Sequence, residues 1–221
     1  MSEGNPRKVT YTPQVFDVED VQSAKNIILT PEIGTSTEER WEKETPYVVR
    51  EIGRTLELDE TSCVIDYGCG IGRIAKELIE RYGCSVVGVD ISTGMRQLAP
   101  GYVGSERFTA CAPEMLDRIA ARGFRATHAC ACWVLQHCAL PQTDVARIEA
   151  ALADGGTLFV LNNNKRCVPT DGGWATDGIS IEKLLTDRFD RVAKGRLPVE
   201  ITTTRIADGS FTMVLRRRQR L

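Results

Sequence analysis

From residue 63 onward, short unbroken apolar runs alternate with segments in which apolar residues return every three or four positions. The runs at 63–65, 85–89, 126–133 and 157–161 fit strands covered on both faces. The segments between them, 73–82, 94–99, 113–122 and 142–152, fit helices. Ile74, Leu78 and Ile79 give the first an inner stripe, and Val145, Ile148 and Leu152 do the same for the last. Strand alternating with helix implies parallel pairing, since parallel neighbours need a crossover long enough to hold a helix. The expected class is therefore α/β, a mostly parallel sheet with helices on both faces. After residue 161 the alternation lapses into 162–178, rich in Asn, Gly, Asp and Pro, which reads as a loop. A helix over 180–189 follows, and strands at 191–197 and 211–215 are expected to form an antiparallel terminal pair.

Ahead of this pattern, residues 19–30 read as a helix ended by Pro31. Ser36 with Glu39 forms a capping box that opens a polar helix through Trp41, which Pro46 is expected to interrupt. Val48, Val49, Ile52 and Leu56 then recur at helical spacing. Residues 1–45 are read as a helical accessory segment that could act as a lid, and 46–221 as the main domain. The 221 residues, 42% hydrophobic, allow one complete domain. No apolar run approaches the ~18 residues that cross a bilayer, and the first residues lack the apolar core of a secretion signal. A cytoplasmic protein with no membrane partner is expected. Lys and Arg number 28 against 30 acids, a net charge of −2, which argues against a nucleic-acid partner. Arg216, Arg217, Arg218 and Arg220 read as a solvated tail. Eight cysteines occur without a C-x-x-C pair. Cys130, Cys132 and Cys138 beside His128 and His137 could conceivably hold a metal, but buried free thiols are the better reading and no metal is expected.

The most informative stretch is Val64-Ile65-Asp66-Tyr67-Gly68-Cys69-Gly70-Ile71-Gly72. A strand enters a turn with glycine at alternate positions and a helix leaves, so backbone can lie against a ligand with no Cβ between. The run 85–89 is followed by Asp90, which parallel pairing puts beside the glycines, where a carboxylate could hold the two hydroxyls of a ribose. Gly70-x-Gly72-x-x-Ala75 also meets a relaxed dinucleotide fingerprint. Asp66 weighs against that reading, because a carboxylate at the strand end repels a diphosphate and attracts a cationic amino group. A ligand carrying an ammonium, a sulfonium and a ribose, S-adenosylmethionine, fits better.

These residues resemble the first motif of the class I S-adenosylmethionine-dependent methyltransferases, in their small-molecule type. Val87-Gly88-Val89-Asp90-Ile91-Ser92 resembles the second motif. Trp133-Val134-Leu135-Gln136-His137 and Leu152-Ala153-Asp154-Gly155-Gly156-Thr157-Leu158-Phe159-Val160 resemble the segments after the fourth strand and ahead of the fifth. The likeness covers about residues 47–161 and implies a Rossmann-like sheet. It further implies that Asp66 meets the methionine amino group, that Gly68, Gly70 and Gly72 make room for the cofactor, that Asp90 holds the ribose and that Ile91 packs on the adenine. Where relatives often carry an acid that reads the adenine amino group, this chain has Cys111 and Ala112, whose backbone, or Glu114, could serve instead.

Methyl transfer chiefly aligns two groups, and it needs a base only when the acceptor holds its proton at neutral pH. His137, beyond the fourth strand, is the candidate base; the alternative is a histidine that bonds the backbone. His128, in mid-strand, reads as a core residue. Trp133 either covers the cofactor or fills the core. Asn163, Arg166 and Trp174, past the fifth strand, are candidate acceptor contacts, as are Trp41 and Tyr47 from the lid. No Asn-Pro-Pro-aromatic or Asp-Pro-Pro-aromatic tetrapeptide occurs, so a hydroxyl of a small polar molecule, such as a sugar or natural-product intermediate, is the expected acceptor. Nitrogen and carbon acceptors stay open, as do an NAD(P)-dependent oxidoreductase and a non-catalytic nucleotide-binding protein. The oligomeric state is not legible.

Overall fold

The apolar runs form the middle of a seven-stranded sheet in the computed structural model, which describes residues 38–170 and 173–219. The elements in chain order are α1 (Glu38–Leu56), β1 (Cys63–Tyr67), α2 (Arg73–Tyr82), β2 (Ser85–Val89), α3 (Thr93–Val103), β3 (Phe108–Cys111), α4 (Pro113–Ala121), β4 (Ala126–Cys132), α5 (Pro141–Ala151) and β5 (Leu152–Asn163). They continue as β6 (Val168–Thr170), β7 (Gly173–Ala175), α6 (Ile181–Arg188), β8 (Phe189–Gly195), α7 (Thr204–Gly209) and β9 (Ser210–Arg217). The sheet order is β3-β2-β1-β4-β5-β9-β8. Its first five strands pair in parallel, and β9 lies antiparallel between β5 and β8, the terminal pair the sequence pattern predicts.

Alternation along the strands divides the core in two. Ile65, Val89, Ala129, Leu158 and Val160 pack in one cluster with Leu116 of α4 and Val145 and Ile148 of α5. Val64, Val86, Cys130, Phe159 and Leu161 pack in the other with Val49 and Ile52 of α1 and Leu78 of α2. The chain reverses direction of winding at β1, which sits between β2 and β4. In such sheets the crevice at the carboxyl ends of the strands on either side of the reversal receives the ligand.

Several expectations need correction. Pro46 does not interrupt the helix, which runs unbroken from Glu38 to Leu56. Packing outweighs the lost amide bond there, because Glu44 before the proline and Val48, Val49 and Ile52 after it are all buried. Similarly, α3 continues through Pro100 to Val103. The loop over 162–178 contains the hairpin β6–β7, and α7 stands between β8 and β9. The arginine tail is part of the fold: Arg217 ends β9, is 6% exposed and donates to the Leu152 carbonyl. Arg218 donates to Asp190 and to the carbonyls of Thr186 and Asp187. The helix over 19–30 and the Ser36 cap lie outside the described residues.

Candidate functional site

The end of β1 carries the first group of the site. Asp66 faces the same side of the sheet as Cys130 of β4, whose thiol is directed at Oδ1 from 3.6 Å. Its Oδ2 is buried and has no hydrogen-bond partner. Burial without a counterion lifts the carboxyl to about 7, and nearby Asp90 adds to the rise while the Cys130 thiol and, more weakly, the Ala75 amide oppose it. A buried acceptor left unsatisfied costs ~1–3 kcal/mol, more when charged, so this oxygen is poised for a donor from outside the chain.

The glycines that follow have separate jobs. A Cβ on Gly68 would stand 2.4 Å from Val134, and one on Gly72 would stand 2.5 Å from Val103, so these two let the loop pack on its own protein. A Cβ on Gly70 would meet nothing within 4 Å, and its φ is +55°. Of the three, Gly70 alone has open space where a Cβ would stand. Its amide donates to Asp90 Oδ2 at 2.8 Å, tying the glycine loop to the end of β2.

Asp90 Oδ1 accepts the Ser92 amide at 2.8 Å, so each carboxylate oxygen has one fixed partner and a lone pair to spare. Burial pushes the Asp90 carboxyl up, while the Ser92 and Gly70 amides and the charge of Arg96 pull it down. Next to it Ile91 is 62% exposed, an apolar surface of the kind a flat ring covers. Arg96 of α3, not foreseen from the sequence, donates from Nη1 to the carbonyls of Asp90 at 2.7 Å and Ile91 at 2.8 Å. Cys111 ends β3 half-buried and accepts the Asp90 amide, and Ala112 precedes α4. Glu114 is exposed in the first turn of that helix.

Past β4 the side chains bind one another. Trp133 holds a φ of +58° and its Nε1 donates to buried Glu44 of α1 at 2.6 Å, which joins that helix to the strand end. Tyr47 is half-buried on the same side of the sheet, and burial raises its phenol. The side chain of Trp41 lies outside the described residues. His137 Nδ1 is 2.7 Å from the Cys167 carbonyl and so carries the proton, which leaves Nε2 to accept from the Gln136 amide at 3.2 Å. Burial lowers its pKa, and the Cys167 carbonyl partly offsets the fall. Trp174 of β7 meets the ring edge-on with centroids 5.3 Å apart.

Arg166 is not a surface group waiting for an acceptor. It is 3% exposed, grips Asp177 through Nε and Nη2 at 2.8 Å each, and donates to the carbonyls of Leu135 at 3.0 Å and Cys138 at 2.7 Å. Asn163 is 8% exposed at the end of β5, and its amide lies 3.4 Å from Gln136 Oε1. Gln136 and Asn162 are fully buried and complete the tie, with the Gln136 backbone amide donating to Asn162 Oδ1 at 3.0 Å. His128 is half-buried and bound to Thr157 Oγ1 at 2.7 Å. No group of histidines, cysteines and acids with metal-binding geometry exists among the described residues.

The site thus offers a buried carboxylate with one oxygen unpartnered, an open glycine, a second carboxylate with lone pairs to spare and an exposed apolar residue beside it. Those features suit an elongated ligand with a cationic amino group at one end and a diol and flat base at the other. Comparison with known proteins agrees. Residues 40–199 match the model of a family described as a methyltransferase domain. The N-demethylindolmycin N-methyltransferase of Streptomyces griseus is 31% identical over 166 residues, covering 72% of this chain and 65% of that protein. Among solved structures, the N-methyltransferase NodS of Bradyrhizobium japonicum, in complex with S-adenosyl-l-homocysteine, has a TM-score of 0.64 at 12% identity, covering 91% of this chain and 97% of that one. The [4+2]-cyclase SpnF also reaches 0.64 at 16% identity, covering 91% of this chain and 92% of that one. At these identities the two structures share the fold.

Proposed function

The chain belongs to the methyltransferase-domain family, the class I S-adenosylmethionine-dependent methyltransferases, and from that premise we propose that it methylates a nitrogen of a small molecule. The observation that carries the proposal is the buried, unpartnered Oδ2 of Asp66 at the edge of the open Gly70 turn. S-adenosylmethionine, when bound, supplies a methyl group activated by the sulfonium to which it is attached. Asp66 would hold the amino group, Asp90 the ribose hydroxyls and Ile91 the adenine. Gly70 leaves space for the ligand, and Trp133 keeps α1 against the strand end beside it.

Nitrogen is favoured by the state of His137. A hydroxyl acceptor was expected with this residue as its base, yet both ring nitrogens are engaged inside the protein. An unprotonated amine brings its own lone pair and needs no base. The matched Streptomyces griseus protein, named as an N-methyltransferase, supports the same choice. Because SpnF is named as a cyclase on a similar fold, fold alone does not assign the reaction. Calorimetry with S-adenosylhomocysteine and with NAD and NADP, paired with transfer of labelled methyl to a panel of amines and alcohols, tests the proposal. Binding of the first ligand alone and labelling of amines are expected. Binding of a dinucleotide alone, or labelling of alcohols alone, overturns it.

A further inference from the structure

Arg96 is a cation at the start of α3, where the helix dipole already gathers positive charge and favours an anion. Its contacts explain the exception. Nη1 donates to the carbonyls of Asp90 and Ile91 at 2.7 and 2.8 Å, and Nη2 donates to Thr93 Oγ1 at 3.0 Å. All three acceptors belong to the turn that leaves β2. Serine 92 closes the same turn from the other side, accepting the Met95 amide at 3.3 Å while its own amide holds Asp90 Oδ1 at 2.8 Å.

Two peptide carbonyls bound to one planar guanidinium cannot rotate independently. That fixes the turn and therefore the Asp90 carboxylate and the exposed Ile91 side chain that it carries. We propose that Arg96 is a positioning residue for the adenosine half of the cofactor: it locks the Asp90–Ile91 turn so that the carboxylate can accept both ribose hydroxyls while Ile91 covers the base. The inference rests on the S-adenosylmethionine reading above. It divides recognition into two separately built halves, because Asp66, on β1, holds the amino-acid end and makes none of the Arg96 contacts. The positive charge also favours the ionised form of Asp90, in which both oxygens can accept.

The halves are separable by ligand. S-adenosylhomocysteine carries both, and 5′-methylthioadenosine carries the adenosine without the amino acid. Titration calorimetry of wild type, Arg96→Met, Arg96→Lys and Asp66→Asn with each ligand gives the test. Arg96→Met is expected to weaken both ligands by the same factor, about tenfold, the effect of a lost hydrogen-bonded support. Arg96→Lys keeps the charge and reaches fewer of the acceptors, so it should weaken both by an equal, smaller factor. Asp66→Asn should weaken S-adenosylhomocysteine and leave methylthioadenosine within about twofold.

The proposal fails if Arg96→Met leaves both affinities within threefold of wild type or lowers only that of S-adenosylhomocysteine. If Arg96→Met does not fold, Arg96→Lys decides: wild-type affinity for both ligands would mean that charge alone acts. Wild-type protein that binds neither ligand removes the cofactor reading and this inference together, an outcome distinct from any effect confined to the Arg96 variants.

Discussion

At Asp66 the protein keeps a carboxylate where neither water nor a counterion reaches Oδ2, and its pKa stands near 7 against an ordinary 3.8. The folded chain therefore holds a proton that the unfolded chain releases, and the ligand-free protein should lose stability as pH rises from about 4 through about 7. The loss integrates to on the order of 4 kcal/mol. An arriving ammonium reverses the preference, so affinity for S-adenosylhomocysteine should climb with pH through that window and level off above it. Asp66→Asn should remove the fall in stability and the climb in affinity over this window, raise the melting temperature of the ligand-free protein at pH 8 and weaken the ligand at least tenfold; unchanged affinity would place the amino group elsewhere. Gly70 and Gly68 make a second contrast. Gly70→Val should abolish ligand binding at a folding cost of only ~1–2 kcal/mol for its positive φ. Gly68→Ala should cost roughly 2–4 kcal/mol by driving its Cβ into Val134, as urea unfolding would read.

The turn after β4 and the segment between β5 and β7 are joined by polar ties. Arg166 joins the segment leading into β6 to the turn after β4, through the carbonyls of Leu135 and Cys138, and reaches forward to Asp177. His137 adds a bond to Cys167 and a ring contact to Trp174. That turn in turn rests on the glycine loop, since Val134 fills the space Gly68 leaves. His137→Phe should therefore speed amide exchange in β6 and β7 at least tenfold and leave affinity for S-adenosylhomocysteine within threefold. A loss of turnover with exchange unchanged, together with the loss of a rate limb below the ordinary histidine range, would restore the histidine as a base. Arg166→Ala leaves two buried carbonyls without donors and should cost ~2–4 kcal/mol.

For the molecule as a whole, ligand and pH act on one folding equilibrium. S-adenosylhomocysteine at a hundred times its dissociation constant should add about 2.7 kcal/mol and raise the melting temperature, and NAD should not. His128 and His137, both lowered by burial, contribute stability that grows with pH just below 6.5, opposite in sign to Asp66. The wild-type profile should thus be shallower than that of Asp66 alone, and Asp66→Asn should expose a rise. Beyond the site, Arg217 closes the sheet's far side through Leu152 and Asp154, so Arg217→Ala should cost ~1–3 kcal/mol without changing ligand affinity.

Strands β1, β2, β4 and β5 and the helices between them were legible because apolar period is a local property: these strands are largely buried on both faces and each helix on one, whereas β3, β6 and β7 are too short and too exposed to show one. Asp66, Gly70 and Asp90 were legible for a related reason, since a strand, a turn and a helix in direct succession bring them to one edge whatever the rest of the chain does. Pro46, Arg217 and Arg218 were misread, because whether a local preference yields depends on partners far away, Trp133 in the first instance and Leu152 and Asp190 in the others. At His137 and Arg166 the residue types fit an acceptor site and a structural tie equally well, and only the tertiary structure brings Gln136, Cys167 and Asp177 within hydrogen-bond reach of them.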